Sequence, residues 1–233
     1  MPSTLEEKVF YFFSRNFPRS IKDILGNVLV VFSKLVRPTK TFTFQGSKYN
    51  YFFHKYNVAW RNERTVEIPI IKRVVDRFKG KKILEVGNVL SHYFTVRHDI
   101  VDKYEKAKNV FNQDITEYKL EKKYDLIISV STLEHVGWEE KPKNPEKYEI
   151  AISCLKKMLA KKGKLLVTLP VGYNAFIDKN LKKRRLGFDK TYYMEKYSRN
   201  NEWRQSTWKK AKDKKFNSPF RYANAIIIGK IEN

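Results

Sequence analysis

The stretch Lys81–Tyr93, KKILEVGNVLSHY, constrains this chain more than any other. Ile83, Leu84 and Val86 form a short apolar run with lysines before it and Gly87-Asn88 after it. Such a run reads as a buried parallel strand that stops at a turn. Glu85 is an acid inside it, near its carboxyl end. In an open parallel sheet, ligands bind just outside the carboxyl ends of the strands. An acid there is either buried at a cost or held by something it hydrogen-bonds.

Further runs supply neighbours for that strand. His98–Asp102 again ends on an acid, and Asn109–Gln113 leads into Asp114-Ile115. Tyr124–Val130 leads into Ser131-Thr132-Leu133-Glu134-His135-Val136; Lys164–Pro170 is a fifth strand and Ala223–Ile231 the last. LEVG after the first strand, the acid ending the second, Asp-Ile after the third and LEHVG after the fourth fall in one order. In that order they resemble the class I S-adenosylmethionine-dependent methyltransferases, over roughly Asn57 to Asn233. The resemblance implies an α/β fold with a Rossmann-like, doubly wound, mostly parallel sheet. Two connections are short: residues 88–97 after the first strand and Lys103–Lys108 after the second. A parallel crossover normally needs a dozen or more residues. The first two crossover helices are therefore expected to be cut to a turn or so.

The 233 residues suit one domain with an extension better than two full domains. Residues 1–56 form the expected extension, and 57–233 the main domain. Ser3 to Phe17 has a capping box and an apolar-rich helical pattern ending before Pro18. Ile21 to Val36 is a second helix, with Ile24, Leu25, Val28, Val31, Phe32 and Leu35 at helical spacing. Two readings compete for this pair: packing on the domain, or peripheral contact with a membrane surface through basic flanks at Arg15, Arg19, Lys34, Arg37 and Lys40. Thr41–Phe44 and Tyr49–Phe53 flank a turn and read as a hairpin. Thr65–Phe78 and Pro145–Lys161 read as helices, the second with Gly163 just past its end.

Lysine and arginine exceed aspartate and glutamate by 23. That excess favours anionic partners, whether a small molecule, a glycan, an acidic membrane face or nucleic acid. Lys179–Arg221 alone holds 15 basic and 4 acidic residues. The span 173–221 reads as a basic, aromatic insertion; in the family such an insertion commonly builds the acceptor pocket. A single cysteine, Cys154, leaves no internal disulfide and no cysteine-based zinc site, and no other metal-ligand set stands out. Reducing cytoplasm is the expected compartment, with peripheral membrane contact if the N-terminal helices are an anchor.

The chemistry follows from the resemblance and from residue type together. A carboxylate ending the second strand can accept both ribose hydroxyls, which assigns Asp102. The resemblance places Asp114 on the adenine amino group, Ile115 against the ring, and Glu85, Gly87 and Asn88 near the methionine end of S-adenosyl-L-methionine. The family's first loop carries alternating glycines; here Val89 and Ser91 occupy two of those positions, so the loop is expected to take a different path. His135 is the expected general base and Glu134 its fallback, with His92 a further candidate. Tyr173 and Asn174 are expected to contact the acceptor, as are Arg64, Arg184, Arg185, Tyr192 and Tyr193. The reading is O-methylation of a phosphorylated or lipid-linked acceptor, a saccharide first. The alternatives are an RNA methyltransferase and a non-catalytic module with a decayed cofactor site.

Overall fold

The computed structural model describes residues 19–36, 39–118 and 122–233. The helix expected over Ser3–Phe17 lies outside the described residues. Helix α1 (Arg19–Val36) comes first, followed by strands β1 (Thr41–Phe44) and β2 (Ser47–Asn50). These strands pair antiparallel across Gln45-Gly46, both with positive φ (49° and 71°). Two left-handed residues in a two-residue loop match the right-handed twist of the strands they join. The second strand thus starts at Ser47, two residues before the expected Tyr49.

Helix α2 (Arg64–Arg77) contains Pro69, which has no N–H to offer the carbonyl four residues back. That carbonyl, on Thr65, accepts instead from Phe52 N at 2.9 Å, and Thr65 Oγ1 donates to Phe52 O at 2.9 Å. The group freed by proline thus joins the helix to the chain leaving the hairpin. Phe42, Phe44 and Tyr51 share one apolar core with Val66, Ile68 and Ile71 of α2.

The main sheet has eight strands: β3 (Ile83–Val86), β4 (Asp99–Val101), β5 (Val110–Phe111), β6 (Tyr124–Val130), β7 (Leu159–Pro170), β8 (Lys190–Lys196), β9 (Trp203–Ser206) and β10 (Ala225–Glu232). Their spatial order is β5-β4-β3-β6-β7-β10-β8-β9. The first five run parallel, β10 is antiparallel to both β7 and β8, and β9 is antiparallel to β8. Leu84, Ile127, Leu165, Val167 and Ile227 face helices α3 (Lys147–Lys157) and α4 (Ala175–Lys182). Ile83, Leu126, Ile128, Leu166 and Ile226 face α2 and the hairpin. Both faces are covered, which is why the strands read as near-continuous apolar runs.

Between β3 and β4 there is only a 3-10 turn, Leu90–His92. Two expectations shift. Helix α3 ends at Lys157, not Lys161, and β7 already pairs at Leu159, with a register shift before Lys164. Gly163 therefore sits in that irregular stretch, where a Cβ would meet the carbonyl oxygens of Ala160 and Tyr124 at 2.8 Å. Much of the expected insertion is sheet: it supplies β8 and β9, together with α4 and a short helix α5 (Trp208–Ala211).

Candidate functional site

The chain leaves β3 for β4 on one side, while β6 lies on the other side of β3. This reversal opens a crevice at the carboxyl ends of the strands, the place where doubly wound sheets bind ligands. A cavity of 480 Å³ occupies it, bounded by Gly87 after β3, Asp102 after β4, Asp114-Ile115 after β5 and Thr132-His135 after β6. Five carboxylates line it (Asp102, Glu105, Asp114, Glu139 and Glu140) against one lysine, Lys103. In a chain of net charge +23 this is a local inversion of sign. A larger cavity of 850 Å³ adjoins it along the edge strands, lined by Asn88, His92, Arg97, Lys108 and Phe111 and by none of these five acids.

Each acid has a physical holder. Asp102 Oδ1 accepts from Tyr104 N and Glu105 N, both at 2.8 Å, and Oδ2 from Asn88 N at 3.0 Å. A carboxylate has about four acceptor positions, so roughly one remains for a ligand. Asn88 also donates to Glu105 at 2.7 Å, while His92 lies 3.2 Å from Glu105 and stacks on Tyr56. Asp114 Oδ2 pairs with Lys103 at 2.9 Å and Lys147 at 2.8 Å, and both lysines also reach Glu140. Ile115 is buried beside the cavity and gives it an apolar wall.

Burial pushes the Asp114 carboxyl up, but hydrogen bonds from Lys147, Lys103 and Thr116 outweigh it and hold the group well below the usual carboxylate range. A depressed folded-state pKa stabilises the fold above the unfolded value of 3.8 and is lost as pH falls through that region. Asp114→Asn is expected to cost about 1.5–3 kcal/mol at pH 7, the usual scale for hydrogen bonds to charged groups. Urea titrations at pH 7 and pH 3 check it; the deficit should shrink in acid.

Glu85 does not reach the cavity. It points into the opposite core, where Oε1 accepts from Val89 N at 3.0 Å and Leu90 N at 2.7 Å, and Oε2 meets His98 Nε2 at 2.7 Å. It therefore holds the loop in place of the missing crossover helix. Gly87 has φ +85°, and a Cβ there would overlap Thr132 Oγ1 at 2.2 Å. Val89 has φ −107°, ordinary for any residue, so the missing glycine is not needed on this path.

The mouth is built after β6. His135 Nδ1 lies 2.8 Å from Glu139 Oε1, and Tyr173 OH donates to the same carboxylate. Burial pushes Glu139 up, but the hydrogen bonds from Tyr173 and His135 prevail and bring it below its usual value. An ionised carboxylate only accepts, so a proton sits on His135 Nδ1, and the neutral ring presents Nε2 as its lone pair. Glu139 was absent from the expected residues, although its position four residues beyond His135 is the helical-neighbour spacing. Phe216 packs edge-on against Tyr173 at 5.2 Å. Gly172, at φ +84°, lets the Lys214–Phe216 backbone approach so closely that a Cβ would sit 2.4 Å from Phe216 N. The basic end of the 173–221 span therefore borders the mouth.

Other expected residues do different work. Asn174 caps α4, accepting from Phe176 N and Ile177 N, and donates to Glu134 O at 2.7 Å. Arg184 lies over Trp208 at 4.4 Å. Arg185 is exposed, and neighbouring Tyr192 and Tyr193 pack on opposite faces of the sheet. None of these four lines the 480 Å³ cavity. Glu134 is 1% exposed, with Oε2 unpartnered among the described residues, and its Oε1 lies 3.6 Å from His135 Nε2.

Arg64, expected to contact the acceptor, is instead buried in a charge cluster beneath the mouth. Arg64 Nη1 bonds Glu67 at 2.6 Å and Nη2 bonds Ser131 O at 3.3 Å, while Ser131 Oγ donates to Glu67 at 2.6 Å. Burial drives the Glu63 and Glu134 carboxyls up; Arg64 opposes it, but both remain raised.

No family model matches the chain, and no curated protein matches it. Among solved structures, the N-methyltransferase NodS from Bradyrhizobium japonicum WM9 bound to S-adenosyl-L-homocysteine overlays with a TM-score of 0.46. It is 12% identical over 75% of this chain and 90% of its own. A SAM-dependent methyltransferase from Archaeoglobus fulgidus overlays at 0.45, with 16% identity over 76% of this chain and 98% of its own. By its own strand order, parallel core and flanking helices, the chain is an α/β protein with a Rossmann-like, doubly wound sheet.

Proposed function

We propose that this chain is an S-adenosylmethionine-dependent methyltransferase that methylates a hydroxyl of an anionic acceptor, a phosphorylated or lipid-linked saccharide. The observation that carries the reading is the acid-lined crevice at the carboxyl edge of a strongly basic protein. That wall suits a cationic nucleoside and repels a dinucleotide pyrophosphate. A pyrophosphate would also want a glycine-rich turn opening a helix N-terminus, and here the chain makes only a 3-10 turn.

The fit rests on Asp102 and Ile115, since Glu85 faces the opposite core and Asp114 already accepts from Lys103, Lys147 and Thr116. Asp102 keeps an acceptor position for a ribose hydroxyl, and Ile115 offers an apolar face to a flat ring. When bound, S-adenosylmethionine supplies a methyl group on positively charged sulfur and leaves as a neutral thioether. Glu139 and Tyr173 orient His135, whose Nε2 takes the acceptor's hydroxyl proton as its oxygen takes the methyl group. The Lys214–Phe216 backbone borders the mouth; the Lys214 ammonium lies 3.6 Å from Glu195, which leaves exposed Lys215 to meet the acceptor's negative charge. An RNA acceptor would stack bases on free aromatic faces. Trp208 already carries Arg184 and Lys212, and Trp138 carries Lys143. Calorimetry with S-adenosylhomocysteine is expected to give a Kd below about 1 mM. Silence at millimolar ligand would remove the reading and leave a non-catalytic module.

A further inference from the structure

Helix α1 turns the wrong side outward. Ile24, Val28, Val31, Phe32 and Leu35 recur at the spacing that places them on one face. All five are exposed, Ile24 by 65% and Leu35 by 73%. The opposite face, with Gly26 and Ser33 flanked by half-buried Leu29 and Val30, meets the body. Ser33 is buried there, and a Cβ on Gly26 would lie 3.6 Å from Lys55 Cβ. Lys40 Nζ holds the helix end through Leu35 O at 3.2 Å. A helix packed for the stability of its own domain buries its apolar stripe; this one presents it.

The charge of the sequence through this segment names the occupant. From Arg15 to Lys40 there are six basic residues (Arg15, Arg19, Lys22, Lys34, Arg37 and Lys40) against one acid, Asp23. The whole chain carries the same sign in excess. An amphipathic helix with apolar residues on one side and Lys/Arg around it lies flat in the headgroup region of an anionic bilayer. Among the described residues no helix is long and apolar enough to cross a membrane. We propose that α1 docks this protein on an anionic lipid surface, with Val28, Val31 and Leu35 inserted at the acyl boundary. The proposal does not depend on methyl transfer; it adds a location at which a lipid-linked acceptor would be met.

The test is flotation of the full chain with vesicles of phosphatidylglycerol and phosphatidylcholine, beside vesicles of phosphatidylcholine alone. The variant combines Val28→Ser, Val31→Ser and Leu35→Ser, which leaves charge unchanged and touches only exposed positions. The wild type should float with the anionic vesicles and much less with the neutral ones. The variant's partition coefficient should drop at least about tenfold, with its unfolding midpoint and S-adenosylhomocysteine affinity unchanged. Equal flotation of wild type and variant would overturn the proposal, as would equal binding to neutral vesicles. So would a wild-type dimer that the substitutions convert to monomer, since the face would then be a self-interface. Flotation seen only after deletion of residues 1–17 would show that the chain's own N-terminus covers the stripe, and would overturn it too.

Discussion

His135→Ala is expected to lower methyl-transfer turnover by about 10²- to 10⁴-fold, the usual contribution of a positioned general base. S-adenosylhomocysteine should still bind within about threefold of wild type, a difference under 1 kcal/mol. The split arises from position: the ring follows β6, held by Glu139 and edge-on to Tyr173, while Asp102 and Ile115 line the cavity from β4 and β5. Single-turnover methyl release paired with calorimetry checks it. Unaltered turnover would return His135 to a purely structural part in the loop after β6.

Arg64→Met is expected to cost about 3–5 kcal/mol of stability, the scale for removing one partner of a buried ion pair. It leaves Glu67, Glu63 and Glu134 together in the interior without their guanidinium. The loss should depend on pH. Burial raises Glu63 and Glu134 above their usual 4.5 in the folded state. The folded protein therefore binds more protons than the unfolded chain above that value, and stability falls as pH rises. Removing Arg64 raises both groups further, so the variant's deficit should be larger at pH 8 than at pH 5. Urea unfolding at the two values measures it; an equal deficit at both would contradict the cluster's electrostatic account.

The strands of the parallel half were legible because both of their faces are covered. Ile83–Val86, Tyr124–Val130 and Lys164–Pro170 read as near-continuous apolar runs, and short runs between turn residues leave few alternatives. Lys190–Lys196 and Trp203–Ser206 pair with each other across residues 197–202, yet escaped notice. Their polar, basic residues give no alternation, and their other neighbours, β10 and the β1–β2 hairpin, are distant in sequence. Asp102 and Asp114 were placed on one rim because strand ends are where a parallel sheet collects its ligands. Glu85 misled for a local reason. Its neighbours Leu84 and Val86 face the α3 side, so the acid faces the other way, and His98 receives it there. The cluster around Arg64 joins residues 63–67 to 131–134, a contact no local pattern records.

The two ends of the eight-stranded sheet also bear on how the molecule lives among its copies. An open edge with unpaired backbone groups is a template for a stranger's strand, and long flat edges seed aggregation. At one end β5 is only Val110 and Phe111, too brief to template a lasting ladder. At the other, the β1–β2 hairpin closes on β9: Gln45 N reaches Gln205 at 2.8 Å, and Tyr51 OH bridges Trp203 N and O. The small hairpin is thus a stopper as much as a piece of core, ending lateral growth where the sheet would otherwise invite it.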